Sequence, residues 1–314
     1  MTAATLEPDR DLGPRDGAVF VFGGPVSNLE ATRAALAAAE RHGIPPARTI
    51  CTGDVVAYCA DPQATVDAIR AAGVHTVMGN CEESLGERAD DCGCNFAAGS
   101  ACDALSGAWY AHADRHLTDA ARTWMRDLPR VLRFRVGEVR FAAVHGSPTQ
   151  INGWVFASTD ADAKRAHLRA LGVDALVAGH AGVPFADEPG EGLWVNAGSV
   201  GMPANDGTPR GWYALLVPEG AGVRVELHAL SYDHAGAAAR MRAERLPDAY
   251  ARALETGRWP SEDVLPAAER AQAGAALPET RMLRWAPASA AARAGRKQGR
   301  PRQRDDAEET GWRC

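Results

Sequence analysis

Four short apolar runs in this chain end in a glycine beside a side chain able to bind metal. Residues 48–52 (RTICT) lead to Gly53-Asp54, and residues 76–78 lead to Gly79-Asn80. Residues 139–144 lead to His145-Gly146, and residues 175–178 to Gly179-His180. Short continuous apolar runs bounded by turn residues read as strands buried on both faces. In open α/β sheets, ligands gather at the carboxyl ends of the strands. A glycine at that point lets backbone approach closely. The pattern therefore predicts an α/β sheet system with chemistry collected at one strand-end edge. Asp54, Asn80, His145 and His180 form a mixed oxygen and nitrogen donor set. Such a set suits Fe(II), Mn(II), Zn(II) or Co(II) better than Ca(II). Taken singly, each residue reads as a turn, cap or ordinary polar residue. The coincidence of four such strand ends carries the expectation.

The remaining pattern extends this rhythm. Residues 18–22 (AVFVF) predict a strand, and Ser27 with Glu30 three residues on predicts a capping box. A helix then runs to about His42, a second spans 62–72, and others span 117–128 and 164–171. Residues 131–136 and 139–144 predict a hairpin across Gly137-Glu138, and 193–195, 211–217 and 223–230 predict later strands. Residues 1–17 read as a disordered leader and 18–232 as the main domain, with an irregular cysteine-bearing insertion at 82–107. Residues 233–265 read as a helical extension. Residues 266–314, rich in Ala, Arg and Pro, read as a disordered tail.

A formal net charge of -6 argues against bulk nucleic-acid binding, leaving the basic stretch at 281–304 as the one route to such a partner. The polar start has no signal-peptide core, and no apolar run reaches the length of a membrane span, so a cytoplasmic chain is expected. Of seven cysteines, six fall between Cys51 and Cys102. The odd number and this setting argue against a disulfide scaffold and point to metal or redox chemistry. His42, His75, His112, His116, His167, His228 and His234 lie in no motif and read as surface or core residues.

The order G-D, G-N, H-G-S-P and G-H, followed by N-x-G-S, resembles the calcineurin-like metallophosphoesterases, in particular the small bacterial phosphodiesterase or phosphatase branch. GDVVAYCADP is similar to that branch's G-D-V-V-G-Y-G-P-D-P. VNAGSVGMPANDGTPRGWYALL is similar to its V-N-P-G-S-V-G-Q-P-R-D-G-D-P-R-A-S-Y-A. The resemblance spans about Ala18 to Leu230. It implies a four-layer α/β/β/α sandwich of two mixed sheets, two metals, and a small phosphorylated substrate.

The departures from the family pattern are selective. The family's D-x-H reads Gly24-Pro25-Val26 here, and its G-H-x-H reads Gly179-His180-Ala181-Gly182. All three ligands private to the first metal are absent. The four positions that hold the second metal, Asp54, Asn80, His145 and His180, are kept.

The family's G-N-H-D reads Gly79-Asn80-Cys81-Glu82. Cys81 thus takes a catalytic histidine position, either as a nucleophile or as a ligand, and Glu82 is a candidate general acid or ligand-orienting group. Cys59, Cys92, Cys94 and Cys102 are candidate thiolate ligands for a rebuilt second metal or an iron–sulfur centre. The competing reading makes them small buried hydrophobes, as expected for Cys51. Cys314 reads as a tail residue. Arg210 matches an arginine of the family's Pro-Arg and is a candidate substrate-binding group. Three functions follow: a metal-dependent phosphoester hydrolase, a metalloenzyme with an iron or iron–thiolate centre acting on a non-phosphate substrate, and a non-enzymatic metal or redox sensor.

Overall fold

A computed structural model describes residues 9–94 and 99–287 of the chain. The chain opens with β1 (Asp9–Arg15), β2 (Val19–Phe22), α1 (Leu29–Arg41), β3 (Thr49–Cys51), α2 (Pro62–Ala72), β4 (His75–Thr76) and α3 (Asn80–Glu87). Next come α4 (Ala101–His116), α5 (Asp119–Arg126), β5 (Val131–Val136), β6 (Val139–Ala143), α6 (Ala161–Leu171) and β7 (Ala175–Ala178). Then follow β8 (Phe185–Asp187), β9 (Leu193–Asn196), β10 (Gly211–Glu219) and β11 (Gly222–Leu230). The final elements are α7 (His234–Ala243), α8 (Asp248–Thr256), α9 (Ala267–Arg270) and β12 (Thr280–Trp285).

Two six-stranded sheets result, ordered β1-β5-β6-β7-β9-β8 and β12-β11-β10-β2-β3-β4. Their facing surfaces bury Val19, Val21, Phe134, Phe141, Trp212 and their neighbours between the sheets. A second cluster packs helices on the outer face of the β2–β3 sheet through Phe20, Phe22, Ala35 and Ile69. A third joins α6 to the outer face of the other sheet through Leu168, Leu171 and Trp194. Apolar side chains on both faces of β2, β7 and β9 explain why these strands read as continuous apolar runs. The expected α/β/β/α layering is therefore present. β2, β3 and β4 run parallel in one sheet, and β6, β7 and β9 run parallel in the other. Among the described residues, no helix is long and apolar enough to cross a membrane.

Four expectations need correction. The expected disordered leader contains β1, which pairs parallel with β5. Its polar side chains are mostly exposed at a sheet edge, so no apolar signal marks it. Backbone pairing and the Arg133–Asp9 ion pair at 2.6 Å hold it.

The expected disordered tail contains α9 and β12. β12 adds to β11 and buries Trp285 between the sheets. Its basic residues are used locally: Arg284 pairs with Glu219 at 2.9 Å, and Arg281 donates to the Pro184 carbonyl at 3.1 Å.

The expected irregular insertion contains α3 and α4 on either side of Cys92 and Cys94. Finally, Asn28 rather than Ser27 caps α1, its Oδ1 accepting from the Ala31 N–H at 3.1 Å. Residues 1–8 and 288–314, with Cys314, lie outside the described residues, as does the Cys102 side chain.

Candidate metal centre

Two tight turns deliver the candidate ligands. After β3 the chain enters the left-handed region at Gly53 (φ 91°) and Asp54 (φ 52°). A Cβ on Gly53 would stand 2.8 Å from the Gly79 nitrogen and 2.9 Å from the His145 ring, so only glycine fits. Asp54 tolerates its conformation because Glu82 fixes the surrounding backbone. The buried Glu82 carboxylate accepts from the N–H groups of Asp54 (2.8 Å), Val55 (2.8 Å), Val56 (3.2 Å) and Gly79 (2.9 Å). This clamps the β3 turn to the first turn of α3, where Asn80 begins the helix.

His145 follows β6. Its Nδ1–H donates to the Thr52 carbonyl at 2.7 Å, which fixes the tautomer and leaves a lone pair on Nε2. Three further atoms crowd around that Nε2: His180 Nδ1 at 3.0 Å, Asn80 Oδ1 at 3.1 Å and Asp54 Oδ2 at 3.3 Å. The Asn80 amide nitrogen donates to the Cys92 carbonyl at 2.9 Å, which turns its oxygen toward this point. Among the described residues, buried His180 Nε2 has no hydrogen-bond partner, and its ring packs at a tilt against Trp154, 4.1 Å between centroids. A proton shared at Nε2 satisfies one of these acceptors, whereas a cation at their centre satisfies all of them. The donor chemistry, the outer hydrogen bonds to Thr52 and Cys92, and the orphaned His180 nitrogen therefore fit a divalent transition metal.

The electrostatics agree. Burial opposes ionisation of Asp54, but His145 and His180 hold its pKa below the ordinary value. Burial disfavours the His145 cation, and the adjacent Asp54 carboxylate overrides this and raises its pKa. Burial and the His145 charge push His180 down to about 3, leaving it a neutral ligand.

The other expected site residues take different roles. Cys81 is buried behind Asn80, its Sγ 3.6 Å from the amide nitrogen. Burial, Asp54 and Glu82 raise its pKa well above that of a free thiol, the opposite of an activated nucleophile. Glu82 has both oxygens engaged by backbone N–H groups and faces no solvent, so it orients Asp54 and does not act as a general acid. Cys59 lies in the helix-facing core, and burial raises its pKa.

Cys92 and Cys94 are joined as a disulfide, against the expectation of free thiolates. Cys81 touches the Asp54 carboxylate from behind, and no cysteine among the described residues lines the cleft itself. Arg210 pairs with Asp206 (3.2 Å), donates to the Leu277 carbonyl (2.8 Å) and lies against the Trp212 ring. It ties β10 to the chain leading into β12, away from the ligands.

A cleft of about 790 Å³ opens on Asp54, His145 and His180. Gly24 and Val26 line the side where the family's first motif would stand, and neither offers a ligand. The helical extension covers this side. A Cβ on Gly182 would meet the Trp259 ring at 3.6 Å, and Trp259 Nε1 donates to the Pro203 carbonyl at 2.6 Å. Tyr58, Trp154, Tyr250 and Trp259 supply aromatic walls, and among the described residues no lysine or arginine lines the cleft. Sequence reading missed these aromatics. They come from distant segments, and no local spacing links them.

The calcineurin-like phosphoesterase superfamily domain matches residues 27–219, more than half of the chain. The chain belongs to this superfamily. Solved structures agree on the phosphoesterase fold. A metallophosphoesterase from Sphaerobacter thermophilus superposes with a TM-score of 0.60 at 22% identity, covering 77% of this chain and 100% of that one. A hypothetical protein from Pyrococcus horikoshii gives 0.65 at 21% identity, covering 77% and 99%. No curated protein matches this phosphoesterase-family chain. Membership implies divalent-metal binding and a hydrolase acting on phosphoesters.

Proposed function

We propose that the protein is a metal-dependent phosphodiesterase working with one metal, held by Asp54, Asn80, His145 and His180. The observation that carries this reading is the convergence of three ligand atoms within 3.3 Å of His145 Nε2. A divalent metal there would polarise a phosphoryl oxygen and lower the pKa of bound water.

The protein's own residues do the rest. Thr52 and Cys92 carbonyls orient His145 and Asn80. Glu82 holds Asp54 through backbone, and Trp154 packs the His180 ring in place. The aromatic walls exclude water and seat an apolar group of the ester.

Charge favours a diester over a monoester. A phosphomonoester brings two negative charges near neutral pH, and Asp54 adds another. Without a first-metal ligand set, and with no lysine or arginine in the cleft among the described residues, a dianion has too little to balance it. A diester brings one charge and a second organic group for the aromatic walls.

The same cationless cleft favours, as a second reading, a one-metal enzyme acting on a non-phosphate substrate. Metal titration of stripped protein, joined to hydrolysis of bis(4-nitrophenyl) phosphate and 4-nitrophenyl phosphate, separates the two. One metal bound at this centre, the equivalent lost in His180→Ala, with diester hydrolysis preferred and lost in the same variant, supports the proposal. One metal bound at this centre with no ester cleaved from a broad panel supports the second reading. Failure of wild-type protein to bind Mn²⁺ or Zn²⁺ at this site removes both.

A further inference from the structure

A second group of ligating side chains stands apart from the candidate centre, where α4 of the cysteine-bearing insertion meets α7 of the extension. One ligand atom from each of His112, His116 and Glu244 lies within 4.8 Å of the other two. His112 and His116 are four residues apart on α4, so they share one face of the helix. Glu244 is the C-cap of α7.

The ring hydrogen bonds supply an independent observation. His112 Nε2 is 3.0 Å from the Ala60 carbonyl, and His116 Nδ1 is 2.8 Å from the His112 carbonyl. A carbonyl only accepts, so each of these nitrogens carries the proton. The lone pairs are then fixed on His112 Nδ1 and His116 Nε2. This matches the outer-shell arrangement of metal-bound imidazoles, in which one nitrogen donates to backbone and the other is left to bind an ion. The two rings lie 4.2 Å apart between centroids.

Among the described residues, no hydrogen bond or ion pair joins either imidazole to Glu244, so the cluster is not explained as an ion pair. The neighbouring cation, Arg240, is engaged by Asp61 at 2.7 Å. His112 is buried while His116 and Glu244 are exposed, which gives an ion a fixed ligand at the base and open access from solvent.

We propose that His112, His116 and Glu244 form a second metal site, for Zn²⁺ or a similar borderline cation, with water completing the coordination. Two imidazoles and one carboxylate favour such ions over Mg²⁺ and Ca²⁺. The site ties α4 to α7. Leu105 on α4 and the residues of the extension line the cleft, so the ion braces two walls of the candidate active site. It does not depend on the phosphodiesterase reading, because none of its residues touches the first centre.

The test uses full-length protein stripped with chelator, titrated with Zn²⁺ by calorimetry and counted by elemental analysis after desalting. His116→Ala and Glu244→Gln change exposed side chains, so each is expected to match the wild-type circular dichroism and metal-free Tm. Each should lose one Zn²⁺ equivalent, or bind it at least about 10-fold more weakly. His180→Ala should lose a different equivalent, and His116→Ala/His180→Ala should lose both. Zn²⁺ should raise the Tm of His180→Ala but not that of the double variant. If His116→Ala keeps the wild-type stoichiometry and Zn²⁺-induced Tm shift, the second site is overturned. That result leaves the centre at Asp54 untouched.

Discussion

The Glu82 carboxylate accepts the Asp54 backbone N–H at 2.8 Å, and through that bond α3 holds the β3 turn in its left-handed conformation. Glu82 thus reaches the candidate metal through Asp54 without touching it. Glu82→Gln replaces an acceptor oxygen with an NH₂ group that faces backbone N–H donors. Leaving buried donors unsatisfied costs about 1–3 kcal/mol. Urea denaturation should show a loss of that size. Metal affinity measured by calorimetry should fall about 10- to 100-fold, as for other outer-shell partners. Wild-type metal affinity in a folded Glu82→Gln protein would contradict this positioning role.

Cys81 is predicted to be dispensable for chemistry. Its thiol is buried, and burial with Asp54 and Glu82 raises its pKa. Cys81→Ala should therefore retain hydrolysis within a few-fold of wild type. Iodoacetamide should label this position slowly at neutral pH compared with an exposed thiol. Rapid labelling with loss of turnover would restore the nucleophile reading.

The Cys92–Cys94 disulfide closes a very short loop, and short loops gain little from cross-linking. The contact that orients Asn80 comes from the Cys92 backbone carbonyl, which a side-chain change leaves in place. Cys92→Ser/Cys94→Ser should lower stability by less than about 2 kcal/mol. Metal content should stay at the wild-type value. A lost metal equivalent in that variant would instead favour a thiolate-bound ion.

Acid should destabilise the fold through half-buried histidines. Burial lowers the pKa of His75, assisted by Arg15, and burial lowers that of His167. Both are neutral in the folded state at a pH where the unfolded chain, with a pKa near 6.5, already binds protons. Their contribution is present above about pH 6.5 and is lost as pH falls from there through the folded values. Tm measured from pH 7 to pH 5 should decline, and His167→Gln should flatten the decline. A steeper decline in that variant would show the sign to be wrong.

Arg210 should matter for stability and not for substrate. It links Asp206 and the Leu277 carbonyl across the Trp212 ring. Arg210→Met leaves the buried Asp206 without its cation and should cost about 1–3 kcal/mol. KM for a diester should be unchanged. A raised KM at wild-type stability would return Arg210 to the substrate.

The sequence by itself determined the strand-end pattern. Apolar runs ending at Gly53-Asp54, Gly79-Asn80, His145-Gly146 and Gly179-His180 are local signals, because a strand buried on both faces must be apolar along its whole length. The same stretches carried the resemblance to the phosphoesterase family and the absence of ligands at Gly24-Pro25-Val26.

Tertiary structure decided what has no local signature. β1 is a polar edge strand held by pairing with β5, so its residues alone look disordered. β12 is recruited by β11 and by the burial of Trp285. The described cysteines, close together in sequence, divide into core thiols (Cys51, Cys59, Cys81) and a disulfide (Cys92–Cys94), because proximity along the chain does not fix which way a side chain points. The aromatic cleft depends on segments as distant as Tyr58 and Trp259 being packed together. His112, His116 and Glu244 likewise meet only because α4 and α7 meet, over a separation that no motif spacing could encode.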